Sequence, residues 1–279
     1  QRGRALGYIS VSVSAGLMTG PALGGLLVGT FGWPAVFILN VPLALGVALV
    51  SWRLLPYECS TWGRFDLLGA LLAGAALLMF LLGLGAAEHS SPFSVQVWLP
   101  LASAIVLISA FVAWESYFPE PMVDLALFRS RGFTAGVSAG TLAYLSLFSV
   151  TFTMPFYLLR VQGMDPRAAG LLLTATPIVL ALVSPVAGRL ADRKGSRMLA
   201  TVGIATMSLG LVVLSFLLPG SSPLHVVAGL LIVGTGMALF QAPNTVAILR
   251  ATPPSRVGVG SAFVAEARNV GMAIGVALT

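Results

Sequence analysis

Two charges stand in an otherwise uncharged stretch near the end of this chain. Glu266 and Arg268 lie two residues apart within the apolar segment 257–279. If a helix starts near Val257, Glu266 is about 13 to 14 Å along it at 1.5 Å per residue. That is close to the middle of a hydrocarbon layer about 30 Å thick. Ionisable groups at such depth are functional candidates by default. A carboxylate there could take up and release a proton or hold a cation. It could equally be half of a structural ion pair, and the residue types leave both readings open. The two side chains point about 200° apart around a helix axis, so they do not share a face. Arg268, Gly271 and Gly275 fall on one stripe, and Ala262, Glu266, Asn269 and Ala273 on another. Both stripes are small or polar enough to face protein or a water-filled cavity.

Other chemistry is thinly spread. "GRLADRKGSR" (Gly188 to Arg197) gathers Arg189, Asp192, Arg193, Lys194 and Arg197. Asp192 is expected between two helix ends, where a carboxylate can meet a helix N-terminus or the arginines. Polar groups within apolar segments mark a second set: Asn40 with Pro42, Tyr144, Gln241 and Asn244. Ser149, Thr151, Thr153 and Tyr157 stand among Phe148, Phe152 and Phe156. Aromatic walls with a few polar groups suit amphipathic ligands, and bonds between helices explain any one of these residues equally well. Asp66 is expected to cap a helix N-terminus, and Glu115 to sit in water at a span end.

Several chemistries are excluded or unsupported. Lys194 is the only lysine and Arg193 precedes it, so no phosphate-cradling GxxxxGK[ST] loop exists. His89 and His225 are isolated, and Cys59 is the only cysteine, so no metal site or internal disulfide is expected. No G-x-S-x-G elbow occurs. No catalytic residues are assigned, and an enzyme is not expected.

The elements that must carry these residues follow from composition. The 279 residues are 57% hydrophobic and only 9% charged, far below the roughly 25% charged residues of average soluble domains. The mean hydropathy is +0.97. No Asp, Glu, Lys or Arg occurs in 5–52, 67–87, 89–114, 132–159, 168–188 or 198–249. At about 20 apolar residues per span, the first and last of these hold two helices each, broken at "FGWP" (Phe31 to Pro34) and "PGSSPLH" (Pro219 to His225). With the segment from Val257 onward, nine transmembrane helices are expected in an all-α polytopic membrane protein.

Alternate loops differ sharply in charge. The loops 1–4, 53–66, 115–131, 189–197 and 250–256 hold twelve arginines and lysines, against only Arg160 and Arg167 in the opposite set. Positive residues stay inside, so the first set is cytoplasmic. The same bias explains the net charge of +6 without a nucleic-acid partner.

"SAGLMTGPALGGLL" (Ser14 to Leu27) packs Gly20, Pro21, Gly24 and Gly25 into six residues. With Gly7 and Gly16 the spacing is G-x8-G-x3-G-P-x2-G-G. Ser12, Gly16, Gly20 and Gly24 form a ridge of small residues that lets two membrane helices approach closely. Pro21 bends that helix.

This pattern resembles the antiporter motif on the fifth helix of major facilitator superfamily exporters. "FGWPAVFILNVP" (Phe31 to Pro42), "RFDLLGALL" (Arg64 to Leu72) and "PMVDLALFRSRGF" (Pro121 to Phe133) resemble segments of its fourteen-helix drug:proton antiporter branch. "GRLADRKGSR" is similar to the superfamily's cytoplasmic-loop pattern, and "ARNVGMAIGVA" (Ala267 to Ala277) to its thirteenth helix. The resemblance implies an incomplete major facilitator fold, a piece covering helices five to thirteen. The opening on Gln1 rather than Met agrees with that. Residues 1–56 would end the N-terminal bundle, 57–131 would form a two-helix central insertion, and 132–279 would form a truncated C-terminal bundle of five helices.

The resemblance also implies roles. Gly7, Gly16, Gly20, Pro21, Gly24 and Gly25 would form the antiporter motif. Gly188, Asp192, Arg193, Gly195 and Arg197 would form a cytoplasmic gate that is closed in one state and open in another. Arg268 matches an arginine usual in the family; Glu266 replaces a small or amide residue. Glu266, Arg268, Gln241, Asn244, Tyr144 and Asn40 are the proton or substrate candidates. The expected activity is export of amphipathic small molecules in exchange for protons, by a monomer in the bacterial inner membrane. It would need no cofactor, because the proton gradient supplies the energy. Export of one specific metabolite or antibiotic, or a non-transporting sensor or scaffold, are the alternatives.

Overall fold

A segment crossing lipid must satisfy its own backbone hydrogen bonds, which leaves a single chain of this kind with helices. The computed structural model describes residue 27 and residues 30–54, 66–89, 91, 94–118, 123 and 125–279. Among the described residues every regular element is helical. The long ones are α1 (Pro34–Leu54), α2 (Leu67–His89), α3 (Val95–Tyr117) and α4 (Arg131–Phe156), followed by α5 (Pro166–Leu173), α6 (Ala175–Lys194), α7 (Ser196–Ser215), α8 (Pro223–Ala251) and α9 (Val257–Ala277). A 3₁₀ turn (Leu125–Arg129) leads into α4, a π turn (Tyr157–Val161) continues it, and a second 3₁₀ turn (Pro254–Arg256) leads into α9.

Seven of the described spans are long and apolar enough to cross a membrane, counting α5 with α6 as one. They match the expected segments between residues 34 and 251. The chain breaks where turn residues allow it. Gly32 (φ +79°) precedes the proline that starts α1, and Gly220 (φ +89°) lies between α7 and α8. Helix α9 is as long as α1 but is not among the seven; Glu266, Arg268 and Asn269 lower its apolarity. Of the span expected within 5–30, only positions 27 and 30 fall among the described residues.

The chain forms two compact units, Gln1–Ser60 with Thr153–Pro243 and Thr61–Phe152 with Asn244–Thr279. In the first, α7 and α8 touch backbone to backbone. A Cβ on Gly203 would lie 2.7 Å from Phe240 N, and one on Gly236 would lie 2.6 Å from Met207 Cα. A Cβ on Gly210 would lie 2.7 Å from Val233 N. Helix α6 closes on the same helix: Gly234 leaves room for Thr176 and Val179, and Thr176 Oγ1 donates to Leu230 O at 3.2 Å. Close approach of this kind is how helices associate where lipid offers no hydrophobic drive.

In the second unit, α2 and α3 form a hairpin in which Leu101 fills the notch at Gly83. Helix α9 packs along α2. Helix α4, the end of α8 and α9 share a buried core of Leu127, Phe133 and Ile248.

These glycines divide into required and idle ones. Gly236→Ala is expected to lower stability by about 1–3 kcal/mol, the usual range for overpacking. Gly74→Ala, with nothing within 4 Å of its added carbon, should be neutral or slightly stabilising. Thermal unfolding midpoints of the two variants in detergent check the contrast.

Candidate functional site

Four of the candidate residues, Tyr144, Ser149, Asn244 and Arg268, lie along the contact between α4 and α9. The buried stripe of α9 is Gly260, Ala267, Gly271 and Gly275. A Cβ on Gly271 would meet Thr141 O and Tyr144 Cβ, and one on Gly275 would lie 2.5 Å from Leu145 O. Ser149 Oγ donates to Gly275 O at 3.0 Å. From α8, Asn244 is buried and its Nδ2 donates to Gly136 O of α4 at 2.9 Å. Gly140 leaves the space for that amide. Asn244 and Ser149 thus spend polar atoms on joining helices, the bland reading of both residues.

The two charges of α9 are separated as the helical spacing requires. Arg268 is half-buried and within electrostatic reach of Tyr144, which is also half-buried. Glu266 and Asn269 lie on the exposed face, as does Ala262. The glycine stripe therefore turns toward α4 and the Glu266 stripe turns away from it.

The remaining candidates belong to the other unit. Gln241 is half-buried in α8. Asn40 is exposed on α1, and its Nδ2 donates to Val36 O at 3.0 Å. Helix α1 runs unbroken past Asn40 and Pro42. Gly7, Gly16, Gly20, Pro21, Gly24 and Gly25 lie outside the described residues.

The charged stretch 189–197 is not a loop, which corrects the expected position of Asp192. Helix α6 runs to Lys194 and α7 begins at Ser196, so one residue, Gly195, makes the whole connection. Asp192 lies in the last turn of α6 rather than between helix ends. Gly195 has φ +90° and ψ 146°, a region essentially open only to glycine. Its N–H donates to Ala191 O at 3.0 Å and closes the end of α6. Arg197 is exposed on the first turn of α7.

A polar cluster in the hairpin escaped the sequence pattern in part. Asp66 caps α2 as expected: Gly69 N donates to its Oδ1 at 2.8 Å. It also accepts from Trp114 Nε1 of α3, at 2.9 and 3.1 Å from its two oxygens. Glu115 was expected in water and is buried instead, with Oε2 accepting from Val123 N at 3.2 Å. The reason is tertiary: Val123 and the first turn of α2 at Gly69 both stand against the carboxylate. An aromatic trio closes the base of α4. Phe128, Phe133 and Phe263 meet edge to face, with centroids 5.2 to 5.4 Å apart. Nothing in linear spacing relates Phe263 to the other two. Among the described residues no group of His, Cys, Asp and Glu could hold a metal ion.

Comparison with known proteins covers the whole chain. The family model of the Major Facilitator Superfamily matches residues 1–276. A riboflavin transporter of Clostridioides difficile is 31% identical across 99% of this chain and 60% of its own length. A multidrug resistance protein of Mycobacterium tuberculosis is 32% identical across 100% of this chain and 52% of its own. A triacylglyceride transporter of Mycolicibacterium smegmatis is 32% identical, at 99% and 52%. The chain thus spans between half and three-fifths of the length of these relatives.

The single-residue joint makes a sharp distinction between two glycines of one motif. Gly195→Ala is expected to cost about 1–3 kcal/mol because of its backbone conformation. Gly188→Ala, inside α6 with open space around the added carbon, should stabilise by a few tenths to about 1 kcal/mol. Unfolding midpoints of the two variants, measured side by side, check this.

Proposed function

The chain belongs to the major facilitator superfamily, a family of transporters rather than enzymes, and we propose that it is part of a proton-coupled exporter of amphipathic small molecules. Its moving parts are helix bundles that expose a central site to one side of the membrane and then the other. Residues 1–56 are assigned to the end of one bundle, 57–131 to a central insertion and 132–279 to the second bundle. The charge bias of the loops assigns the Gly188–Arg197 joint to the cytoplasmic side of a bacterial inner membrane. The motif at Gly7 to Gly25 and the joint at Gly195 are taken as the exporter signature and the cytoplasmic gate. The working form is a monomer, its energy source is the proton gradient, and it needs no cofactor.

The observation that carries the proton assignment is the division of α9 into two faces. A structural ion pair would hold Glu266 on a packed face against a cationic side chain of a neighbouring helix. Instead Arg268 turns toward Tyr144 on α4, while Glu266 occupies the exposed face. A carboxylate so placed is available to a cavity. Protonated from outside, it would release its proton to the cytoplasm as substrate leaves in the opposite direction. Arg268 and Tyr144, with Asn244 nearby, set the polarity of the α4 side. Gln241 and Asn40 are the candidate substrate contacts of the other unit.

A second reading is export of one specific compound. The relative named as a riboflavin transporter favours it, as the relative named as a multidrug resistance protein favours a broad substrate range. Efflux of a panel of unrelated amphipathic compounds separates the two.

Glu266→Gln in the full-length protein is expected to abolish proton-coupled efflux while the protein still folds and reaches the membrane. The check is efflux from energised vesicles with and without a protonophore. Protonophore-sensitive efflux at the unaltered rate would remove Glu266 from the mechanism without touching the family assignment.

A further inference from the structure

We propose that Asp66 and Trp114 form a clasp that fixes the α2–α3 hairpin as one rigid body with α4, positioning the helix that faces Arg268. The role is mechanical: Asp66 acts through its oxygen acceptors and not through its charge.

The hairpin lacks one means of staying closed that soluble proteins have. Its outward surfaces are apolar (Leu71, Leu78, Ile105 and Val106 are all exposed), and lipid does not drive such surfaces together. At its base the structure supplies a polar tie instead. Asp66 is only 4% exposed and Glu115 only 3%. Asp66 Oδ1 takes the Gly69 N–H that starts α2 and, at 2.9 Å, the indole N–H of Trp114 near the end of α3. Gly69 is the residue that permits this: a Cβ there would strike the Asp66 carboxylate and lie 3.1 Å from Glu115 Oε1.

The tie continues beyond the hairpin. Glu115, the next residue, holds Val123 N. The 3₁₀ turn at Leu125–Arg129 packs on α3. Thr134 Oγ1 of α4 donates to Phe128 O of that turn at 2.7 Å. Phe128 then meets Phe133 and Phe263, so the path reaches both α4 and α9. The links are hydrogen bonds, one of them buried at Gly69, packing of the 3₁₀ turn on α3 and close ring contacts, and all lie in one compact unit. The described charged groups on the elements packed against the hairpin base are Arg129 on the 3₁₀ turn and Glu266 and Arg268 on α9. The last two are about 13 Å or more further along their helix than its first residue.

The test uses the full-length protein in a Cys59→Ser background, with spin labels at Ile105→Cys on α3 and Leu142→Cys on α4. Both positions are exposed. Pulsed electron paramagnetic resonance should give one narrow distance, unchanged between pH 6 and pH 8 or on adding transported substrate. Trp114→Phe keeps the ring and loses the donor; Asp66→Leu loses the acceptor. Each should broaden the distance and lower maximal efflux up to about tenfold, the upper end for one lost hydrogen bond, with KM within about twofold. Asp66→Asn keeps Oδ1 and should restore both readouts. If Asp66→Asn is as damaging as Asp66→Leu, charge is what matters and the clasp is wrong. A distance that shifts with pH or substrate in the unaltered clasp also overturns it. The idea rests on the exporter reading only for the efflux arm. A protein that exports nothing but keeps the single distance sinks that reading and leaves the clasp standing.

Discussion

Helices in a hydrocarbon solvent are not pushed together to hide apolar surface, because the solvent is as apolar as they are. Association has to come from atoms brought close enough for dispersion and for hydrogen bonds across the seam. This chain meets that constraint by removing side chains at the seams. Gly203 and Gly236 let α7 lie on α8, Gly234 admits α6, and Gly271 and Gly275 let α9 lie on the carbonyls of Thr141 and Leu145. Once the backbones are that close, short polar side chains reach across: Thr176 to Leu230 O, Ser149 to Gly275 O, and Asn244 to Gly136 O.

The same constraint sorts the polar residues into two kinds. Those at a glycine seam are used up in joining helices, as Asn244 and Ser149 are. Those on a face without such a seam are left exposed, as Glu266 is. Packing α9 by its glycine stripe therefore decides where its charges go. Arg268 lies three and seven residues before Gly271 and Gly275 on that stripe and is brought toward α4 and Tyr144. Glu266, most of a half-turn away, is left outward.

Much of the fold was legible in the sequence. Charge-free runs gave the spans between residues 34 and 251 because each helix must be apolar for its full length. "FGWP" and "PGSSPLH" gave the breaks because Gly32 and Gly220 supply φ values that other residues resist. Asp66 was readable as a cap because an N-cap bond is local, reaching only to Gly69. The charged stretch around Asp192 misled for an instructive reason. Charge density looks like a loop, but basic residues also suit the last turn of a helix. A single glycine at φ +90° was enough to make the connection. Glu115 misled because a carboxylate near a span end is normally hydrated, and only the contacts with Val123 and the start of α2 show that it is covered.

By itself the sequence determined that the chain is a set of apolar helices, in what order they run and which loops carry the positive charge. Those properties depend on residue type and on neighbours a few positions away. The tertiary structure alone decided which glycines are seams and which are idle, with Gly236 pressed on Met207 and Gly74 in open space. It alone placed Trp114 on Asp66, Asn244 on Gly136 and Phe263 on Phe128. Such contacts join residues tens to more than a hundred positions apart, and helical periodicity repeats every few residues, so it assigns each side chain to a face but does not say which helix that face will meet.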